Sequence, residues 1–438
     1  MSTRTTTAGS ANLGSPGLDS PGFGSPGLGS PGSDSIETRT SWVIATAVLF
    51  LLSFAYGAPL IVVVALKPIA ASLDVPRAIP SLAAALVWFG TGSGGIAMGL
   101  FADRIGVRWT VLGGSLMIGA GLLLSSLGST WSLLVGHGLF VGLLGSAGLY
   151  PPLLVYVSRW FDKRRGTALA LISSGQYIAG VAWPTLFQIS IDRVGWQRTM
   201  AGFAVIVVAA VAPVALWCLR LSPPSTGAAA TAAAGPASGT PVLGLRPNTA
   251  MLLLAAAPFF CCIPMAMPTA HLVALCTDDG ISPERGALML SMLLGLAFAS
   301  RQFWGWVADS LGGLRTVLFS SAAQAASILV YALTQHEVGL FAASAIYGLG
   351  FAGIIPAYVL AIRDLYPSRE ASWRVPIMLL SGMSGMAVGS WLAGTMFDHF
   401  GHYAPAFQVA FACNLINVVM IGALVLRQQH VRMRPVFG

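Results

Sequence analysis

Three observations predict an all-α polytopic membrane protein whose twelve transmembrane helices form two six-helix bundles related by a parallel repeat. The chain carries little charge, it contains twelve apolar stretches of spanning length, and a set of short motifs recurs about 206 residues further on. Of its 438 residues, 55% are hydrophobic and 9% are Asp, Glu, Lys or Arg, against roughly a quarter charged in ordinary soluble chains. A water-soluble fold of this size could not cover its surface with so few charges, which excludes a soluble enzyme or a nucleic-acid-binding module.

Residues 1–40 come first and contain Ser15-Pro16-Gly17 and three further copies of that triplet at five-residue spacing. They have too few large apolar side chains to bury, so a disordered cytoplasmic tail is expected. The apolar segments follow at 41–66, 80–102, 109–128, 131–157, 166–190 and 199–219, then at 249–274, 285–308, 314–334, 337–362, 372–396 and 403–427. Each can cross about 30 Å of hydrocarbon. The expected organisation is a first bundle over 41–220, a cytoplasmic Ala/Gly/Ser/Thr/Pro-rich linker over 221–248, a second bundle over 249–427 and a tail over 428–438.

Assigning alternate connections to opposite sides puts most of the 23 basic residues on one side, among them Arg104, Arg108, Arg159, Arg164, Arg246, Arg315 and Arg363. The other side holds Lys67, Arg77, Arg193, Arg198 and Arg285. The positive-inside rule makes the richer side, with both termini, cytoplasmic. The chain is therefore expected in the plasma membrane, the bacterial inner membrane, with the lipid bilayer as its surroundings and no nucleic-acid partner. The net charge of +8 reflects topology rather than an anionic partner. The five cysteines show no metal-ligand spacing and read as small buried residues.

The repeat is specific. Gly99-Leu100-Phe101-Ala102-Asp103 matches Gly305-Trp306-Val307-Ala308-Asp309, the stretch from Leu144 to Pro151 matches Leu349 to Pro356, and Asp192-Arg193-Val194-Gly195 matches Asp398-His399-Phe400-Gly401. Because six is even, both halves enter from the same side, the arrangement that builds a carrier around a central axis.

These residues resemble the major facilitator superfamily. The loop after the second segment, with Gly99, Asp103, Arg104, Gly106 and Arg108, is close to that family's Gly-x-x-x-Asp-Arg-x-Gly-x-Arg signature, and Gly305, Asp309 and Arg315 form a weaker copy with Ser310 in place of the basic residue. The resemblance implies a gating latch, in which Gly99 lets helices approach while Asp103 and the arginines pair at the interface. Within the superfamily, Arg159-Trp160-Phe161 through Ala168, Ser174-Gly175, His271 and Arg301 ahead of Trp304 resemble the monocarboxylate and oxalate:formate branch.

Arg301 lies eight residues before Asp309, about 12 Å from the cytoplasmic end of its helix. A guanidinium at that depth costs several kcal/mol unless it faces a cavity or a partner. A bound carboxylate suits its planar fork, and the resemblance implies that role for Arg301. Two departures from the branch matter. Ala297 stands where related carriers have an aspartate implicated in proton coupling, and the interior of the eleventh segment, between Val375 and Phe397, has no Lys or Arg for a second carboxylate. A single deep cation favours a monoanion.

His271 is the proton-coupling candidate or, equally, a hydrogen-bonded gate residue, whereas His137 reads as structural. Tyr56, Tyr150, Gln176, Tyr177, Gln302, Tyr347 and Tyr358 are the candidates that shape the rest of the substrate site. No catalytic set, metal cluster or cofactor motif is found. The expected function is a monomeric secondary carrier that moves a small monocarboxylate by alternating access, with a proton as co-substrate. Export of a hydrophobic drug or metabolite, and a non-transporting membrane sensor, are the alternatives.

Overall fold

A computed structural model describes residues 37–161, 164–221, 241–334 and 336–433. The disorder expected for 1–40 and the flexibility expected for 221–248 concern mainly residues outside that set. Among the described residues every regular element is helical, apart from one bridge between Val242 and Leu245.

The first half comprises α1 (Arg39–Val64), α2 (Ala78–Ile105), α3 (Val107–Ser125), α4 (Thr130–Ser158), α5 (Arg165–Ser173 continuing as Gly175–Val194) and α6 (Trp196–Cys218). The second comprises α7 (Pro247–Asp278), α8 (Pro283–Leu311), α9 (Gly313–Leu333), α10 (Glu337–Leu365), α11 (Ser368–Phe400) and α12 (Ala404–Met433). Eleven of these are long and apolar enough to cross a membrane. The twelfth, α5, falls short because it breaks at Ser174 and carries Gln176, Gln188, Asp192 and Arg193. A short helix, Leu66–Leu73, joins α1 to α2. The side with the α2–α3 turn is termed the motif side below, and the opposite one the far side.

Backbone groups freed inside an apolar medium must find partners, and three places in these helices show where. Helix α1 pauses at Tyr56, and Trp183 Nε1–H of α5 donates to the Ser53 carbonyl at 2.9 Å. Pro268 in α7 has no N–H for the Pro264 carbonyl, which accepts instead from the Tyr347 hydroxyl at 3.3 Å. In α5 the Tyr177 N–H bonds to the Ser174 carbonyl, leaving the Ser173 carbonyl without its helical donor. That last vacancy matters for the site.

Each half has its own apolar core. Only Val63, Leu66 and Tyr177 of the first half belong to the core of the second. The halves meet where α2 packs on α11 and α5 on α8, with α1 and α7 between them. The repeat seen in the sequence reappears in the backbone: Gly106 and Gly312 end α2 and α8 with φ of 91° and 80°, a region a side chain rarely adopts. The end of the linker segment is folded, with Val242 and Leu243 buried against the second core and Pro247 opening α7.

Candidate functional site

A cavity of about 140 Å³ lies between the halves at mid-span. Arg301 of α8 reaches it from the second half and is 7% exposed. Its Nη1 donates to the freed Ser173 carbonyl at 3.1 Å, its guanidinium carbon lies 5.2 Å from the Tyr177 ring centre, and its buried Nε has no partner. None of the ion pairs among the described residues involves Arg301. The charge is therefore held in place by a neutral carbonyl and a ring, with part of its fork unused.

Tyr56, Tyr150, Gln176 and Tyr177 line the same cavity. Tyr56 and Tyr150 meet edge to face at 5.8 Å, and both lie within electrostatic reach of Arg301. The helix irregularities place these rings: Tyr56 sits at the pause in α1, Tyr150 just before Pro151 and Pro152 in α4, and Tyr177 just after the break in α5.

Gln302, Tyr347 and Tyr358 do not line the cavity. One residue along a helix turns about 100°, so Gln302 is exposed on the outer face of α8 while Arg301 points inward. Tyr347 serves the freed carbonyl of α7, and Tyr358 donates to Asn417 of α12. Both belong to a buried polar network with Gln324 and Ser321 that ties the second bundle together.

Sequence reasoning missed Trp88 and most of the second-half lining, although the repeat offset carries the signal. Adding it to Tyr56, Pro59, Val63, Trp88, Tyr150, Gln176 and Tyr177 reaches Cys262, Met265, Thr269, Leu294, Ile355, Gly382 and Met383, all of which line the cavity.

The Major Facilitator Superfamily profile matches residues 42–336 and 252–437. The chain belongs to that superfamily. It is similar to monocarboxylate transporter 13 of Rattus norvegicus, 26% identical over 344 residues that make up 76% of this chain and 76% of that one. It is also similar to the fujikurins efflux protein of Gibberella fujikuroi, 34% identical over 148 residues, 33% of this chain and 30% of that one. Among solved structures, a bacterial homolog of the human lysosomal transporter Spinster, in an inward-facing and occupied conformation, superposes with a TM-score of 0.66 at 17% identity, covering 90% of this chain and 98% of that one.

In this Major Facilitator Superfamily chain the motif residues Asp103, Arg104 and Gly106 are exposed, Gly99 is half-buried, and Arg108 stacks on its neighbour Trp109. Asp103 pairs with Arg159 of its own half at 3.6 Å. The close approach expected at Gly99 is absent, since a Cβ there would meet nothing within 4 Å. It occurs earlier in the helix, where a Cβ on Gly90 would lie 2.7 Å from the Leu143 nitrogen and one on Gly94 within 3 Å of the Leu143 carbonyl oxygen. Gly305 and Asp309 are likewise exposed, and Arg315 is partly buried.

The halves are tied on the far side by a cluster that the sequence did not reveal. Lys67 Nζ and Arg77 Nη2 each donate to Asp278 Oδ1 of α7 at 2.8 Å. The backbone N–H groups of Arg77 and Ala78, which open α2, donate to Asp398 of α11 at 2.9 and 2.7 Å. A carboxylate is favoured there by the helix dipole. Arg77 also donates to the Tyr403 hydroxyl at 3.2 Å and stacks 3.6 Å from the Phe397 ring centre. Burial raises the Tyr403 pKa above the usual phenol range, so the hydroxyl keeps its proton.

His271 connects this cluster to the cavity. Its Nε2 lies 2.8 Å from the Ser390 carbonyl, which can only accept, so a neutral ring carries its proton on Nε2 and accepts at Nδ1 from the Tyr403 hydroxyl at 3.1 Å. His271 does not line the cavity, whereas Ser390 does.

Proposed function

We propose that the protein is a secondary carrier that moves an organic monocarboxylate by alternating access, in symport with a proton, with the motif side and both termini in the cytoplasm. Arg301 carries this reading: a buried guanidinium between the halves, without an acid partner among the described residues and with Nε free. A carboxylate supplies the missing counter-charge and can bridge the unused part of the fork. The name of the Rattus norvegicus relative points the same way.

In this mechanism Tyr56, Tyr150 and Tyr177 offer hydroxyls to the bound anion, and the two bundles rock about it. The state described has its far side tied, so outward opening requires Arg77 to leave Asp278 and Tyr403. His271 supplies the coupling. A protonated ring donates at Nδ1, reverses the Tyr403 hydrogen bond and sets a cation beside Arg77, with Asp278 and Asp398 the acids nearest that cluster.

Uptake of radiolabelled acids into proteoliposomes, wild type against Arg301→Ala, tests the reading. Saturable uptake should vanish in the variant, and unchanged uptake would remove Arg301 from the site. The name of the Gibberella fujikuroi relative favours a second reading, export of an apolar metabolite, in which Arg301 is structural and its replacement leaves transport intact.

A further inference from the structure

The cavity has two unlike walls, and the repeat makes the contrast quantitative position by position. Where the first half presents Tyr56, Tyr150, Gln176 and Tyr177, the second presents Cys262, Ile355, Gly382 and Met383 at the equivalent places. Arg301 reverses the pattern, because its first-half equivalent is Gly95. Charge, hydroxyls and amide thus gather around Arg301, while the opposing surface is mainly thiol, thioether and hydrocarbon, completed by Met265, Leu379 and Met386.

The cavity is also longer than a carboxylate needs. Leu294, which lines it as well, lies seven residues before Arg301 on the same helix, about 10 Å along the axis toward the far side. In that direction the polar atoms are few. The Thr269 hydroxyl is already donating to the Met265 and Ala266 carbonyls, which leaves the buried, unpartnered Ser390 Oγ at the end. A cavity of about 150 Å³ with hydrocarbon walls takes a benzene ring, and 140 Å³ is available here. Methionine sulfur and an aromatic edge attract each other, and Met265, Met383 and Met386 line the cavity together with Trp88 and Phe351.

We infer that the substrate is an amphipathic monocarboxylate with an aryl or branched-alkyl body, held by Arg301 at its carboxylate and by the methionine wall at its body. The inference rests on the carboxylate reading above and narrows it. Two- and three-carbon acids leave the far half of the cavity unfilled, and a second carboxylate has no cation to meet it.

The test is competition against radiolabelled phenylacetate uptake in proteoliposomes, using acetate, lactate, 3-methylbutanoate, 3-phenylpropanoate and the neutral phenylacetamide. Inhibition should strengthen about fourfold for each methylene buried, with aryl acids the best competitors and the amide inert. Lactate or acetate competing as well as phenylacetate would overturn the size inference and leave the carboxylate reading standing. The amide competing as well as the acid would overturn the carboxylate reading itself. Ala270→Phe, which fills the body end of the cavity, should abolish uptake of radiolabelled phenylacetate while radiolabelled acetate, given alone, is still taken up; loss or retention of both alike would count against a separate body subsite.

Discussion

Replacing Asp278 by asparagine should loosen the far-side closure. Its carboxylate receives Lys67 and two nitrogens of Arg77 at 2.5–2.8 Å, with side chains 35%, 14% and 22% exposed for Lys67, Arg77 and Asp278. A fully exposed pair contributes about 0–1 kcal/mol, and breaking a fully buried one costs about 3–5 kcal/mol. This pair lies between those limits, and asparagine retains one acceptor oxygen, so the closed state should lose about 1–2 kcal/mol, a factor of roughly 5–30 in its population ratio. Cys262 is a built-in reporter, since it is free and lines the cavity. In a variant retaining only that cysteine, labelling by an impermeant maleimide added on the far side should accelerate by that factor. Glu337→Gln is the control, because its pair with Arg285 lies on the far side within one half. Equal rates in wild type and Asp278→Asn, or an equal rise in the control, would refute the assignment of Asp278 as a tie between the halves.

Three further outcomes follow from the geometry. Arg301→Lys keeps the charge but loses the fork, and at about 1.5–3 kcal/mol for a charged hydrogen bond KM for the carboxylate should rise roughly ten- to a hundredfold, as uptake kinetics will show. Tyr347→Phe should leave KM unchanged and lower thermal stability by about 0.6–1.7 kcal/mol, the range for interhelical hydrogen bonds in membranes, because Tyr347 serves a backbone carbonyl and not the cavity. His271→Gln should abolish the pH dependence of far-side Cys262 labelling. In the wild type labelling should rise as the far-side pH falls, since a protonated His271 no longer accepts from Tyr403.

The fold was legible because hydropathy and a repeat are periodic signals. Spanning length located all twelve segments and the repeat divided them into halves; α5, counted at 166–190, is the one whose break and polar residues leave it short of the apolar length of the other eleven. The site was half legible for a related reason. Arg301 stands out as a lone deep cation, and tyrosines on the first-half helices are conspicuous, but a methionine or a glycine in an apolar helix announces nothing by type. Cys262, Gly382 and Met383 become visible only as repeat partners of Tyr56, Gln176 and Tyr177. Gln302, Tyr347 and Tyr358 failed because residue type alone does not say which face of a helix a side chain occupies. The far-side ties were invisible because Arg77, Asp278 and Asp398 are far apart in sequence and look like ordinary loop charges.

The same repeat explains why the closure is one-sided. Asp398 and Asp192 are equivalent, and symmetry would have each accept from the first N–H groups of a helix in the other half. Asp398 does so at Arg77 and Ala78 of α2. The equivalents of those residues in α8 are Pro283 and Glu284. Proline has no N–H to give, and Glu284 already places a negative charge in that first turn, so a second carboxylate would be unpaired and repelled. Ser282 caps α8 instead, Asp192 accepts from Gln188 of its own helix, and both line a crevice between the halves on the far side. Two residues at the start of α8 therefore remove one of two symmetric ties, leaving the junction of α2 with α11 to control opening.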